Sequence, residues 1–169
     1  ATSLISPSAV AFLSALAHHG LTDQIPRVIT AATPRKVVVP SMREAHQAGG
    51  QHLWHAAGLD FRYVAILPKR FSFGIEAVWL DERFRVPITD RERTVLDLFA
   101  LPRLFGGLGE GLAVLERVGD GIDLEKLVAY ALRYDSVAVA KRLGWSLEQT
   151  GTGRSGFSAM RERCSDGSA

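Results

Sequence analysis

Residues 86–107 constrain this chain more than any other stretch, because within them a β-strand pattern hands over directly to a capped helix. Phe84, Val86 and Ile88 alternate with Arg85, Pro87 and Thr89, the period of a half-buried strand. Thr89 and Glu92 then have the spacing of a capping box, in which the threonine oxygen accepts from the Glu92 amide and the carboxylate returns to the Thr89 amide. Asp90 adds negative charge at the same helix end, favourable by up to about 1 kcal/mol. Pro102 and the pair Gly106-Gly107 follow the helix as its stop and turn.

The flanking sequence supplies more of both structure types. Ser6 as N-cap, Pro7 at the first helical position, and Val10, Phe12, Leu13, Leu16 and Ala17 at helical spacing predict an N-terminal helix that Gly20 stops. Residues 27–33 and 37–39 are β-branched and bounded by prolines, which predicts two strands or one bent strand. Ser41 and Glu44 have capping-box spacing that Gly49 and Gly50 interrupt, so a short helix and a second one at residues 53–57 are expected. Residues 61–67, 75–80 and 84–88 predict three strands, the last two joined by a polar hairpin loop at 81–83 and therefore antiparallel. Leu108, Leu112 and Leu115, then Leu124, Leu127, Val128, Ala131 and Leu132, mark two further helices. Asp135 or Ser136 caps a last helix carrying Ala140, Leu143 and Leu147, which Gly151 ends. The expected class is α+β, a small mixed or antiparallel sheet with an N-terminal helix and a helical C-terminal third.

With 169 residues, 47% apolar and 22% charged, the chain has the size and core content of one domain, placed at residues 1–151. Residues 152–169, rich in Gly, Ser and Arg, read as a flexible polar tail. Charges or glycines interrupt every apolar run before the roughly 18 residues a membrane span requires, and the start lacks the basic region of a signal peptide. These features predict a cytoplasmic protein with no membrane partner. The single cysteine, Cys164, cannot form an internal disulfide. A net charge of +2 does not by itself identify a nucleic-acid binder.

Few motifs in the chain carry chemistry. His52 and His55 share a helix face if that segment is helical, with His46 upstream, but no Cys or acidic residue completes a ligand pattern. His18 and His19 sit near a helix C-terminus, where partial positive charge is favourable. Gly151, Gly153 and Gly156 match the dinucleotide fingerprint in spacing yet leave a helix for a polar tail, and Gly107, Gly109 and Gly111 follow no strand. No G-x-S-x-G elbow occurs, and the carboxylates are scattered at helix starts and turns. Asp97, set among Val95, Leu96, Leu98 and Phe99, stands out but has an i, i+4 partner in Arg93. Basic pairs at Arg35-Lys36, Lys69-Arg70, Arg91/Arg93 and Lys141-Arg142 suit phosphate contact, but no recognition helix accompanies them. The expectation is a non-enzyme with no metal and no cofactor.

In order, the segment Val86-Pro87-Ile88, the run Asp90-Arg91-Glu92-Arg93-Thr94-Val95-Leu96-Asp97, Pro102, Gly106-Gly107 and Arg142-Leu143-Gly144 resemble the C-terminal domain of AbiEi-type antitoxins. In that family a strand leads into an E-R-T-x-x-D helix, then a proline, a Gly-Gly step and paired helices ending near R-L-G. Residues 9–21 resemble the start of the same domain, so the likeness spans about residues 6–151, with residues 43–58 as a member-specific insertion.

The resemblance implies an antitoxin that counters a nucleotidyltransferase-like toxin and represses its own operon. It also implies operator DNA as a partner through a winged helix-turn-helix that precedes this domain and is absent from the sequence, as in a truncated chain or a member that lacks the DNA reader. Direct binding to the toxin does not follow from it. The motif residues Thr89, Glu92, Thr94, Asp97, Gly106, Gly107, Leu143 and Gly144 are expected to be structural, and Arg91, Arg93, Lys141 and Arg142 to meet DNA or the toxin. Readings from other classes are a phosphoryl- or nucleotidyl-handling enzyme domain using Asp97, and a ligand-sensing effector domain with a closed apolar pocket.

Overall fold

The structure, a computed structural model, describes residues 2, 4–37 and 53–151. Most of the 37–39 strand, the Ser41/Glu44 helix, His46, His52, Gly153, Gly156, Cys164 and the 152–169 tail lie outside the described residues. The strands are β1 (Ala9–Val10), β2 (Val28–Thr33), β3 (Trp54–Ala56), β4 (Leu59–Ala65), β5 (Ile75–Trp79) and β6 (Arg85–Thr89). The helices are α1 (Leu13–His18), α2 (Pro68–Phe71), α3 (Arg91–Ala100), α4 (Leu108–Val118), α5 (Leu124–Tyr134) and α6 (Val137–Gln149), with single 3-10 turns at Pro102–Leu104 and Gly119–Gly121.

The six strands form one mixed sheet in the order β3-β4-β2-β1-β6-β5. Pairs β2/β4 and β1/β6 are parallel, whereas β1/β2, β3/β4 and β5/β6 are antiparallel. The α+β class with a helical C-terminal region is therefore the observed one. No helix among the described residues is long and apolar enough to cross a membrane.

Two expected elements differ, and one element is unexpected. The N-terminal helix does not start at Pro7: Ala9–Val10 is a strand, and α1 runs only from Leu13 to His18. Those two residues fill the gap between β2 and β6, whose facing backbone groups a helix there would leave unpaired. Ala9 and Ala11 are fully buried, a period-two signal hidden inside the helical spacing of Val10, Leu13 and Ala17.

Residues 53–57 are likewise not helical, because Trp54–Ala56 pairs with Leu59–Ala65 in a hairpin. Ala57 and Gly58, both at positive φ, make its two-residue turn. The usual Asn or Asp before the glycine is missing, so the sequence signal was weak. The short helix α2 at Pro68–Phe71 was not expected at all.

The C-terminal helices follow the sequence pattern closely. Gly106 and Gly107, at φ 89° and 125°, turn the chain from the 3-10 segment into α4, a conformation that L side chains rarely adopt. Asp123 caps α5 by accepting from the Lys126 amide at 3.0 Å. Asp135 adopts the left-handed conformation between α5 and α6, and Ser136 sits at the N-cap of α6 without a side-chain capping bond. Helix α3 lies at the centre, packed against α1, α4, α5 and α6. The largest buried cluster joins Val95, Leu96, Leu98 and Phe99 of α3 to Leu16, Leu115, Leu127 and Leu143.

Candidate functional site

The polar residues of the described chain converge at the start of α3, where β6 delivers the backbone into the middle of the helical layer. The N-cap there is Asp90, one residue later than the sequence pattern indicated: its Oδ1 accepts from the Arg93 amide at 2.8 Å. Thr89 remains in the ladder opposite Ile75 as the last residue of β6. Its hydroxyl and that of Thr94 are 2.8 Å apart, and its carbonyl accepts from the Thr94 hydroxyl at 3.2 Å and from His19 Nε2 at 2.7 Å. The Thr89/Glu92 capping box therefore does not form. With Asp90 as N-cap, the position that would return a bond belongs to Arg93, and Glu92 turns outward to α5.

Arg93 is the least expected residue of the site. Its side chain is 1% exposed, and it is the largest fully buried one among the described residues. The guanidinium donates from Nε to Asp97 Oδ1 at 3.0 Å, and from one terminal nitrogen to the carbonyls of Arg70 at 2.6 Å and Phe73 at 3.0 Å. It also lies 4.7 Å from the Phe73 ring centre and 5.7 Å from that of Tyr134.

The expected i, i+4 pair with Asp97 exists, but both partners are at 1% exposure, so it is a buried ion pair rather than a surface one. Burial pushes the Asp97 carboxyl above its ordinary range, with the Arg93 charge and hydrogen bond opposing that shift. Gly74 makes room for this arrangement. A Cβ there would lie 2.5 Å from the Arg93 Cβ, and its carbonyl accepts from the Asp90 amide at 3.0 Å.

A second set of charges borders the first. Lys126 donates to Glu92 Oε2 at 2.8 Å and approaches Asp90 Oδ2 at 3.2 Å, while the Tyr130 hydroxyl donates to the same Asp90 oxygen at 2.8 Å. Glu92 Oε1 also accepts from the Asp123 amide at 3.3 Å. The hydrogen bond to Glu92, reinforced by Asp90, keeps Lys126 protonated above its ordinary range against the opposing effect of burial. Burial, with Asp90 as acceptor, raises the Tyr130 hydroxyl to about 12. Lys126 and Tyr130 are an i, i+4 pair on α5, readable as such, yet nothing local announces that they meet residues 90 and 92.

The four basic residues expected to contact a partner are not brought together. Arg93 is consumed in the interior and cannot reach a surface. Arg142 donates to the carbonyl of Phe99 at 3.1 Å, closing the C-terminal end of α3. Arg91 is partly buried near the Gly119–Gly121 turn, with a buried Nε that has no hydrogen-bond partner among the described residues. Lys141 is exposed on α6. Leu143 is fully buried and Gly144 partly so.

Among the described residues no group of three or more His, Cys, Asp or Glu side chains is arranged to hold a metal. His55 pairs instead with Asp60 across the β3–β4 hairpin. The site is a set of mutually neutralised charges locking β6, α2, α3 and α5 together. Sequence reading missed Tyr130, Lys126, Gly74 and the Arg70 carbonyl, since each is distant in the chain from α3. No protein-family model matches this sequence, and no curated protein does.

Proposed function

We propose that this chain is the C-terminal domain of an AbiEi-type antitoxin. It opposes a nucleotidyltransferase-like toxin in the bacterial cytoplasm and serves as the non-enzymatic body of an autorepressor. The observation that carries this reading is the use of the Glu92-Arg93-Thr94-x-x-Asp97 motif as one connected unit. All four side chains are buried, each has a defined hydrogen-bond or ion-pair partner, and together they fix the strand-to-helix junction on which the resemblance rests. Such a motif preserves an architecture rather than a reacting group, consistent with action through binding. Operator recognition belongs, on this reading, to a winged helix-turn-helix of the full-length protein, with Lys141 and Arg91 as supplementary contacts.

The test is growth rescue. Full-length protein co-expressed with the neighbouring toxin is expected to restore growth, and a junction-disrupting Arg93→Met variant to lose rescue in proportion to its loss of folded protein. Failure of the unaltered full-length protein to restore growth overturns the antitoxin reading.

A further inference from the structure

Between the start of α1, strands β2 and β4 and the Pro102–Leu104 turn, the chain forms an open cleft of about 180 Å³. Phe12 and Leu13 from the start of α1, Val64 from β4 and Leu104 from the 3-10 turn supply its apolar surface. Thr30 contributes little free polarity, since its hydroxyl donates to the Ala11 carbonyl at 2.7 Å. Two arginines complete the lining: Arg27, exposed just before β2, and Arg62, half-buried on β4 opposite Thr30.

These two differ from the arginines that hold the fold. Arg70, Arg93, Arg117 and Arg142 each donate to a backbone carbonyl, whereas neither Arg27 nor Arg62 has an ion-pair or hydrogen-bond partner for its guanidinium among the described residues. Of the carboxylates close to them in sequence, Asp60 pairs with His55, and the exposed Asp23 lies 3.9 Å from Arg117. A half-buried guanidinium without a counter-charge is unfavourable, and a second one beside the same apolar surface adds like-charge repulsion. An anion seated between them relieves both.

We propose that this cleft binds a small aromatic carboxylate, its ring against Phe12, Leu13, Val64 and Leu104 and its carboxylate between Arg27 and Arg62. Size suits a single ring, because a cavity of roughly 150 Å³ accepts one benzene. Charge and geometry select the head group, since a carboxylate matches the planar donor fork of arginine. A few convergent polar groups over an apolar floor are the ordinary anatomy of a small-ligand site, and this one is an open cleft rather than a closed pocket. The assignment is independent of the antitoxin reading.

Calorimetric titration of the full chain with benzoate, benzamide and octanoate tests it at fixed ionic strength. Benzoate is expected to bind, with benzamide and octanoate weaker by about tenfold or more, the loss of the charge-assisted pairs or of the ring fit. Arg27→Glu, at an exposed position, should weaken benzoate by at least about tenfold while leaving the circular dichroism spectrum of the unliganded chain unchanged. Leu104→Trp should fill the cleft and abolish binding with the circular dichroism spectrum retained; if that variant misfolds, Arg27→Glu alone decides. Absence of benzoate binding, equal binding of benzamide or octanoate, or benzoate affinity unmoved by Arg27→Glu overturns the proposal.

Discussion

Helix α3 and the β5–β6 hairpin are separated by a single residue, yet they distribute polarity in opposite ways. In α3, residues 92–99 are all buried, and among them are Glu92, Arg93, Thr94 and Asp97. At the hairpin end, Trp79, Leu80 and Phe84 are 60%, 66% and 63% exposed. Polar groups enter the interior where the fold supplies a partner for each within hydrogen-bonding distance, and α3 is covered on several sides by elements that do so. At the hairpin end the large apolar groups stay outside. The hairpin is ordered by its own turn, in which Asp81 Oδ1 accepts from the Arg83 and Phe84 amides at 2.8 and 2.9 Å. The Leu80 amide donates to the Phe84 carbonyl at 2.9 Å, and the Arg85 guanidinium donates to the Ala77 carbonyl at 3.3 Å and lies 5.2 Å from the Trp79 ring centre.

The strongest way to break this contrast is to remove one member of the buried pair. Arg93→Met leaves the Asp97 carboxylate uncompensated and is expected to lower unfolding free energy by about 3–5 kcal/mol in denaturant titrations. Arg93→Met combined with Asp97→Leu should recover much of that loss, because the buried charge is gone. A single variant with the wild-type midpoint would show that the charges of α3 are not held as tightly as the geometry indicates.

Alkaline pH sharpens the comparison at the border of α3. The Tyr130 hydroxyl ionises at about 12 in the folded chain against an ordinary 10.0. A folded value above the unfolded one gives stability that is fully present below pH 10 and lost as pH rises through about 12. Asp90, Glu92 and Lys126 face this group, and the raised Lys126 ammonium contributes in the same direction. Thermal unfolding of Tyr130→Phe should therefore decline less steeply over that window while keeping the Lys126 contribution. An unchanged slope would remove the Tyr130–Asp90 hydrogen bond from the account.

The smallest effect belongs to the hairpin. Trp79→Ser and Phe84→Ser should each change stability by no more than about 0.5 kcal/mol, read as a nearly constant melting temperature, because little area is removed from contact. A loss comparable to that of a core truncation would place the hairpin tip against another part of the folded chain.

Local pattern sufficed for much of the architecture. The β5–β6 hairpin, the strand-to-helix junction and the order of the C-terminal helices are all local in cause: alternation, short polar turns, glycine stops and apolar spacing act within a few residues. Local pattern failed at Ala9–Val10 and at Trp54–Ala56, where the deciding partners are β2, β4 and β6 rather than the neighbours in sequence. It also shifted the N-cap from Asp90 to Thr89, because the oxygens of Thr89 are occupied by Thr94 and His19.

By itself, then, the sequence determined that residues 86–107 contain a strand feeding a helix, that Arg93 and Asp97 share a face of it, and that Gly106-Gly107 turns the chain after it. Tertiary structure alone decided that this face is interior, and that Lys126 and Tyr130 meet Asp90 and Glu92 across more than thirty positions of chain. The physical reason is that helical spacing fixes which side chains point together, while the cost of burying their charge is met only by groups that the packing of α2, α5 and the β5–β6 hairpin brings to them.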